Sequence, residues 1–591
     1  MTGAVTVGAI ALLAASSWAL GSIATRSIPW PELRSYERLA LRITAGLGLV
    51  ALLLSFLALA GWLSHALWVL VCLAGAGVVQ ALRRTPSSAP PRTVQTVRHA
   101  RVLGAAVVLC AALACVGTIA PVTDDDALAF VLPCARHIVE TGALRVWPDQ
   151  ARSMFPQAQA VLVAWMLQVG GDRTGAVTGL QFLLCLGVVS ALARRVCARA
   201  EHVLPAVVIA LGSPVVAFQV ASAKEDLFLV AASAATAFCL SGDRGRAELA
   251  AAGLFAGIAA GAKYSGLGVA IAAVAWVCIV CREGRVNAAV TVAATAALSG
   301  GLWYALNLWR FGNPVAPLLF GAAGTSFDAG VARDFVDGFG AGRSPLAFVL
   351  APLRIFTEPS LFCGRANLYN PLAYAALVGA FAPQALRRSA PLYFIAAVLY
   401  VGWFFGLQNA RLLLPAAVLL APAAADALVP IVGRYRLLPM AAWAAAAVSL
   451  GVVAAVGTVR IVRYTADAPG YLERETQRYA DIRWMNTHLD PARDRVGSAF
   501  KVIGYLTVPS LILDASRQIE MAQAELDDPV RFLAACRRQR ITHLFGHPDT
   551  FDALGSRVRR VYENPSSRLG GERFFREPPS EATAVFEILA P

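Results

Sequence analysis

The chain has 591 residues, 58% of them hydrophobic and only 15% charged. Soluble chains average about a quarter charged residues, so this composition excludes a soluble enzyme, a disordered chain and a small disulfide scaffold. The formal net charge of +14 does not point to nucleic acid, because most arginines sit in short loops between apolar runs, as the positive-inside rule requires.

A crossing needs roughly 20 apolar residues for a hydrocarbon core about 30 Å thick. In chain order the candidate runs are 4–24, 43–62, 65–83, 101–121, 175–193, 203–220, 227–241, 247–262, 266–281, 288–307, 371–386, 391–407, 412–431 and 437–459. Several are short, so the expectation is a polytopic α-helical membrane protein of about 13–14 spans. The first run has no basic residue before it and Arg26, Arg34 and Arg38 after it. That is the wrong charge order for a cleaved signal peptide, which predicts a retained span with its N-terminus outside.

Cytoplasmic loops are then expected to hold Arg83, Arg84, Arg92 and Arg98, then Arg194, Arg195 and Arg199, then Arg244 and Arg246. Arg282 and Arg285, Arg387 and Arg388, and Arg434 and Arg436 continue the series. The alternation holds if the short run 158–170 does not cross but lies along the outer surface. The Pro/Ser-rich stretch 86–92 reads as a cytoplasmic connector.

Three outer segments stand apart from tight turns: 122–157, 308–370, and everything from about 460 onward. In the last, charges become frequent. There 495–500, 510–514 and 542–545 are predicted strands and 528–538 a predicted helix, making a small soluble α/β domain outside the cytoplasm. The predicted organisation is additional N-terminal spans and connector at 1–100, a transmembrane catalytic core at 101–459, and an extracytoplasmic domain at 460–591. The eleven cysteines form no framework. Cys110, Cys115, Cys185, Cys239 and Cys278 lie inside apolar runs as small hydrophobes, while a bridge between Cys134 and Cys363 is left open.

Chemistry-bearing residues cluster on the expected outer face. Thr123-Asp124-Asp125-Asp126 follows the fourth run directly. Three adjacent carboxylates repel one another, and crowding raises the pKa of at least one. A helix N-cap accounts for one or two acids and less readily for three. Lys224-Glu225-Asp226 places ionisable groups at the border of a span, where they are costly; an exposed turn with a Lys–acid pair explains it equally well. Lys263 and Tyr264 follow Gly257 and Gly261 on an outer turn, and Lys263 calls for an anionic partner more than for snorkelling. Arg411, just before Leu412-Leu413-Leu414-Pro415, is a second outer cation. Arg310, beside the Gly312-Asn313-Pro314 turn, is a third. His137 reads as an exposed bystander. A phosphate loop, Cys/His metal spacing and a Ser–His–Asp pattern are all missing from the sequence.

These motifs, in this order, resemble the GT-C superfamily of membrane glycosyltransferases, which use polyprenyl-phosphate-linked sugars and include protein O-mannosyltransferases and lipid A aminoarabinose transferases. The matching elements are Asp125-Asp126 with Phe130, Gly142 and Phe155-Pro156; then Ala221-Ser222 leading to Asp226; then Gly257, Gly261 and Lys263-Tyr264; then Phe311-Gly312-Asn313-Pro314; and last Arg411 to Pro415. They span about residues 101–431. The family commonly has Asp-Glu where this chain has Asp125-Asp126, and Tyr where it has Phe130.

The resemblance implies an inverting glycosyl transfer on the outer face of the cytoplasmic membrane. A polyprenyl-phosphate sugar is the implied donor and a hydroxyl of a lipid, glycan or protein the implied acceptor, with no nucleic acid involved. Spacing to Phe130 ranks Asp126 first and Asp125 second as general base. Lys263 and Arg411 are implied to hold the leaving phosphate, and Asp226, Glu225, Tyr264 and Asn313 to bind substrate. Whether a divalent cation takes part, with Asp226 as ligand, is left open. The rival reading is a transporter or flippase of lipid-linked glycans, disfavoured because no paired broken helices are evident. A third is a non-catalytic scaffold. The C-terminal domain holds no recognisable catalytic set, so its expected role is acceptor recognition or capping.

Overall fold

The computed structural model describes residues 3–28, 30–82, 98–319, 321–432, 438–568 and 580–589. The arginines 83, 84, 92, 434 and 436 and the connector 86–92 lie outside them, as does the side chain of Arg98.

Among the described residues, eight helices are long and apolar enough to cross a membrane. They are Gly3–Ala24, Ser35–Leu59, Leu63–Leu82, Arg101–Ile119, Gly175–Val196, Pro383–Phe405, Ala410–Val432 and Ala444–Ala466. Arg285–Gly300 and Leu302–Phe311 make a ninth if counted as one span, bent by 73° at Gly301. The expected crossings at 227–241 and 266–281 are the shorter apolar helices Asp226–Leu240 and Ser265–Val280, and 247–262 is Arg246–Ala262. The chain is a multi-pass membrane protein.

Besides the bend at Gly301, two expected runs are broken. The run 203–220 divides at Gly212-Ser213 into Val203–Leu211 and Pro214–Gln219. The run 371–386 is not one helix: a turn at Pro371–Tyr374 leads into the five-residue helix Ala375–Gly379, and a new helix starts at Pro383. Proline disfavours the helical region for the residue before it, and Ala382 is extended at φ −95° and ψ 109°. Arg387 and Arg388 therefore fall inside the first turns of Pro383–Phe405 rather than in a loop. The segment 158–170 forms the helix Ala158–Gly170, whose residues 158–166 are all packed inside the protein; Gln159 and Gln181 hydrogen-bond each other there at 2.7 Å.

Close helix packing rests on small residues. A Cβ on Gly257 would lie 2.2 Å from the Ala296 carbonyl oxygen, so Arg246–Ala262 and Arg285–Gly300 touch backbone to backbone. Small side chains permit this approach where helix association must rely on van der Waals contact. Arg246–Ala262 ends at Lys263, its C-cap.

The C-terminal part carries a five-stranded sheet, with β1 Val496–Ser498, β2 Ser510–Ile512, β3 His543–Gly546, β4 Val558–Arg568 and β5 Ser580–Ile588 in the order β2-β1-β3-β5-β4. β2, β1 and β3 are parallel; β3–β5 and β5–β4 are antiparallel. The helix Pro529–Arg538 begins where Asp528 caps it, its Oδ1 accepting from the backbone of Val530 and Arg531, with proline at the first position. Phe532, Leu533 and Cys536 of this helix pack with Leu511, Leu544 and Phe586 of the sheet. The three predicted strands and the helix are present. β4 and β5 were not foreseen: β4 is largely exposed and polar, and its register shifts between Asn564 and Ser567 around Pro565, so it lacks the apolar alternation that marks a strand. All eleven cysteines are free, Cys134 and Cys363 included.

Candidate active site

The acid cluster follows the helix Arg98–Val116 and a 3-10 turn at Gly117–Ile119. It opens a helix whose first turns, Ala127–Val131, are wound as a π-helix before Leu132–Thr141; such turns are frequent at functional sites. The preceding strand of backbone is pinned from behind. Arg460 donates to Thr123 Oγ1 at 3.1 Å and to the Pro121 carbonyl at 2.9 Å, and Tyr505 donates to the Val122 carbonyl at 2.8 Å.

The three acids have three different surroundings. Asp124 is the cap: its Oδ1 accepts from the Ala127 N–H at 2.9 Å, and its Oδ2 meets Lys224 Nζ at 2.7 Å. Asp126 is held by two cations, with Arg411 Nη1 at 2.8 Å from one oxygen and Lys501 Nζ at 3.4 Å from the other. Burial pushes the Asp126 carboxyl up, but Arg411, Lys224 and Lys501 outweigh it and hold the group well below the usual carboxylate range. Among the described residues Asp125 makes no ion pair. Its Oδ2 accepts from the Gln477 amide at 2.7 Å, and its Oδ1 is buried with no hydrogen-bond partner among the described residues. Burial, reinforced by the Asp124 charge beside it, pushes Asp125 up to about 7.

Next to these lies the turn 222–226, entered through Ala223 at φ +60°. A non-glycine residue rarely adopts this region, and Ala223 is held there by Gln159, which donates to its carbonyl at 2.9 Å, and by Thr178, which accepts from its N–H at 3.3 Å. The turn carries three ionisable groups, of which Lys224 and Glu225 line the cavity. Glu225 pairs with Arg152 at 2.9 Å and Lys263 at 3.1 Å; Asp226 pairs with Lys263 at 2.9 Å and faces Arg411 Nε at 3.5 Å. Arg411 itself follows Asn409, whose side chain caps the 410–413 turn by accepting from the Arg411 N–H at 3.0 Å.

Together these groups line a cavity of about 500 Å³, a size ordinary for small-molecule sites. Of the residues singled out in the sequence, the run Thr123–Asp126, Phe130, Lys224, Glu225 and Arg411 line it. Asp226 and Lys263 sit behind them in the ion-pair network. Tyr264 is also behind: its hydroxyl donates to the Ala316 carbonyl at 2.6 Å and accepts from Asn307 at 2.9 Å. Asn313 is turned into its own loop, bonded to Leu318, Gly321 and Val315. His137 is half-buried rather than exposed: its ring lies 2.7 Å from Asp149 and stacks on Trp147, away from the residues that line the cavity. No group of three His, Cys, Asp or Glu side chains is placed to hold a metal ion among the described residues.

Sequence reasoning missed Gln477, Lys501 and Arg517, which reach the cavity from the C-terminal part, and gave Arg152 no role. One signal was available. Among 51 basic residues only three are lysines, Lys224, Lys263 and Lys501, and all three pair with the acids of this site. Lysine offers a compact point charge where arginine offers a fixed fork, and this chain uses it only here.

The fold and the site define a class: a multi-pass helical membrane protein with an acid- and cation-lined cavity between its helices and a C-terminal α/β unit. No family model and no curated protein matches the chain. Solved structures do. ArnT from Cupriavidus metallidurans bound to undecaprenyl phosphate is 13% identical, with a TM-score of 0.52 over 83% of this chain and 98% of that one. The same protein in the apo state is 14% identical, with a TM-score of 0.50 over 82% and 98%. The archaeal oligosaccharyltransferase AglB from Archaeoglobus fulgidus is 11% identical, with a TM-score of 0.47 over 77% and 70%. At such identities the likeness to ArnT is one of fold. The likeness extends beyond the stretch 101–431 that holds the motifs, since it covers 83% of this chain.

Proposed function

We propose that this protein is a membrane glycosyltransferase that moves a sugar from a polyprenyl-phosphate donor to a hydroxyl of a lipid, glycan or protein acceptor, at the extracytoplasmic face. The observation that carries the chemistry is the division of labour among the three acids. Asp125 is the general base. Among the described residues no cation pairs with it directly; burial and the neighbouring acids outweigh the pull of Lys501 and Lys224, and a carboxyl pushed up to about 7 is matched to proton abstraction near neutral pH. Asp126, ranked first by its spacing to Phe130, is tied up by Arg411 and Lys501 and is a poor proton acceptor.

In the proposed reaction Asp125 takes the proton of the acceptor hydroxyl as its oxygen bonds to the anomeric carbon. The bond from that carbon to the phosphate oxygen breaks on the opposite face, inverting the configuration. The electron pair stays on the lipid phosphate. Arg411 lines the cavity and is already oriented by Asp126 and Asp226, so its charge meets the developing anion with little reorganisation. Support for a lipid-phosphate ligand also comes from the fold neighbour ArnT, which was crystallised with undecaprenyl phosphate. The acid loop and the C-terminal part face the same side, since Lys501 reaches Asp126.

The test is purified protein given radiolabelled polyprenyl-phosphate sugars, with release of free polyprenyl phosphate as the readout. Release that Asp125→Asn abolishes supports the proposal. Movement of intact lipid-linked sugar across vesicles without its consumption would instead establish the flippase reading.

A further inference from the structure

Two of the cavity's cations come from neither the acid loop nor the membrane helices. Lys501 follows the carboxyl end of β1, and Arg517 follows the carboxyl end of β2. These strands are parallel neighbours, with Val496 opposite Ser510. In open α/β sheets ligands sit outside the carboxyl ends of parallel strands, and here those ends open into the cavity.

Both loops are built into their places. Gly504 passes so near the acid helix that a Cβ on it would lie 2.6 Å from the Leu128 carbonyl oxygen. The Arg517 carbonyl accepts from the Ala151 N–H at 2.7 Å, and the Ile519 N–H donates to the Pro148 carbonyl at 2.7 Å. On the other side, Asp328 donates its N–H to the Ala515 carbonyl at 3.1 Å.

Neither cation is used up. Lys501 holds the longer arm of a carboxylate that Arg411 already grips, 3.4 Å against 2.8 Å, and its side chain is 39% exposed. Arg517 is steadied by Asp514 at 2.7 Å and lies over the rings of Phe130 and Phe335, each 5.5 Å from its guanidinium carbon. Five cationic side chains line the cavity against four carboxylates.

The geometry points to Lys501 and Arg517 as an anion subsite for a phosphate group of the substrate, which makes the C-terminal α/β unit part of the binding site rather than a cap over it. The inference rests on the glycosyl-transfer reading for the source of that phosphate: the lipid phosphate of the donor, or a phosphate carried by the acceptor.

The test uses the full-length protein in lipid nanodiscs and two probes, polyprenyl phosphate and inorganic phosphate. Lys501→Gln and Arg517→Gln should each weaken phosphate binding by about tenfold, the scale of one lost charge-assisted hydrogen bond. Lys501→Arg, which keeps the charge, should restore most of it. Weakening of both probes assigns the subsite to the donor. Weakening of inorganic phosphate alone, with polyprenyl phosphate bound as before, assigns it to the acceptor. If wild type binds only inorganic phosphate, and does so through Lys501, the subsite stands and the lipid-donor reading falls. Unchanged affinity for both probes in the double variant overturns the inference, as does loss of binding only on Arg411→Ala. Should Arg517→Gln unfold, Arg517→Lys keeps the charge without the fork, and Lys501→Gln alone still decides the matter.

Discussion

Arg411 Nη1 lies 2.8 Å from Asp126 Oδ2 across 285 residues of sequence, and this contact separates two adjacent carboxylates that the chain alone presents as equals. Asp126 becomes a fixed anion that orients a cation. Asp125, bonded among the described residues to the neutral amide of Gln477 alone, keeps a lone pair for a proton.

The first prediction follows from that contrast. Asp125→Asn should lower turnover by about two to four decades, the range that general bases supply, while thermal stability stays near wild type. Asp126→Asn should instead reduce stability and substrate binding, because Arg411 then loses its charged partner. Steady-state kinetics and thermal unfolding of both variants check this. The reverse pattern, with Asp125→Asn fully active, would return the base to Asp126.

The pH dependence carries a definite sign. As the proposed base Asp125 must be deprotonated to act, so kcat/KM should climb with pH and level off above about 7, and this limb should vanish in Asp125→Asn. The folded-state pKa is raised, so the native protein holds a proton that the unfolded chain gives up above about 3.9. The stability this supplies is full below that value and is lost as pH rises through about 7. Unfolding midpoints across that window should therefore fall with pH more steeply in wild type than in Asp125→Asn.

Lys263 is the hub of a buried pair of acids, with side-chain exposures of 12% for the lysine, 8% for Glu225 and 5% for Asp226. Lys263→Ala should destabilise the protein by about 3–5 kcal/mol, the cost of leaving buried charge uncompensated. Adding Glu225→Gln to a Lys263→Met background should recover part of the loss. If Lys263→Ala melts like wild type but loses donor affinity, its role is phosphate binding rather than holding the network.

Topology can be read by impermeant thiol labelling in a variant stripped of its native cysteines. Single cysteines at the exposed positions Arg145 and Arg493 should label from the same side of sealed vesicles, since the acid loop and the C-terminal part are in contact. A cysteine at the exposed Arg199 should label only from the other side. Reaction of Arg199 and Arg493 positions from one face would contradict the orientation inferred from the arginine pattern.

What the sequence by itself determined is whatever depends on neighbours along the chain. Hydropathy marks a membrane protein because burial in lipid is a property of contiguous runs. The parallel strands and the helix 529–538 were legible from local apolar patterning and a capping aspartate, whereas β4, exposed and interrupted at Pro565, has no such pattern to read. The acid cluster and the lysine- and arginine-bearing motifs were likewise visible, and their order implied the fold. Only the tertiary structure decided which acid is free to take a proton, that Lys263 spends its charge on Glu225 and Asp226, that Tyr264 and Asn313 serve backbone contacts, and that Gln477, Lys501 and Arg517 come to the same cavity. The reason is that a carboxylate's proton affinity is set by burial and by charges within a few ångströms. For Asp125 and Asp126 the partners that tell them apart, Arg411, Gln477 and Lys501, arrive from 285 to 375 residues away.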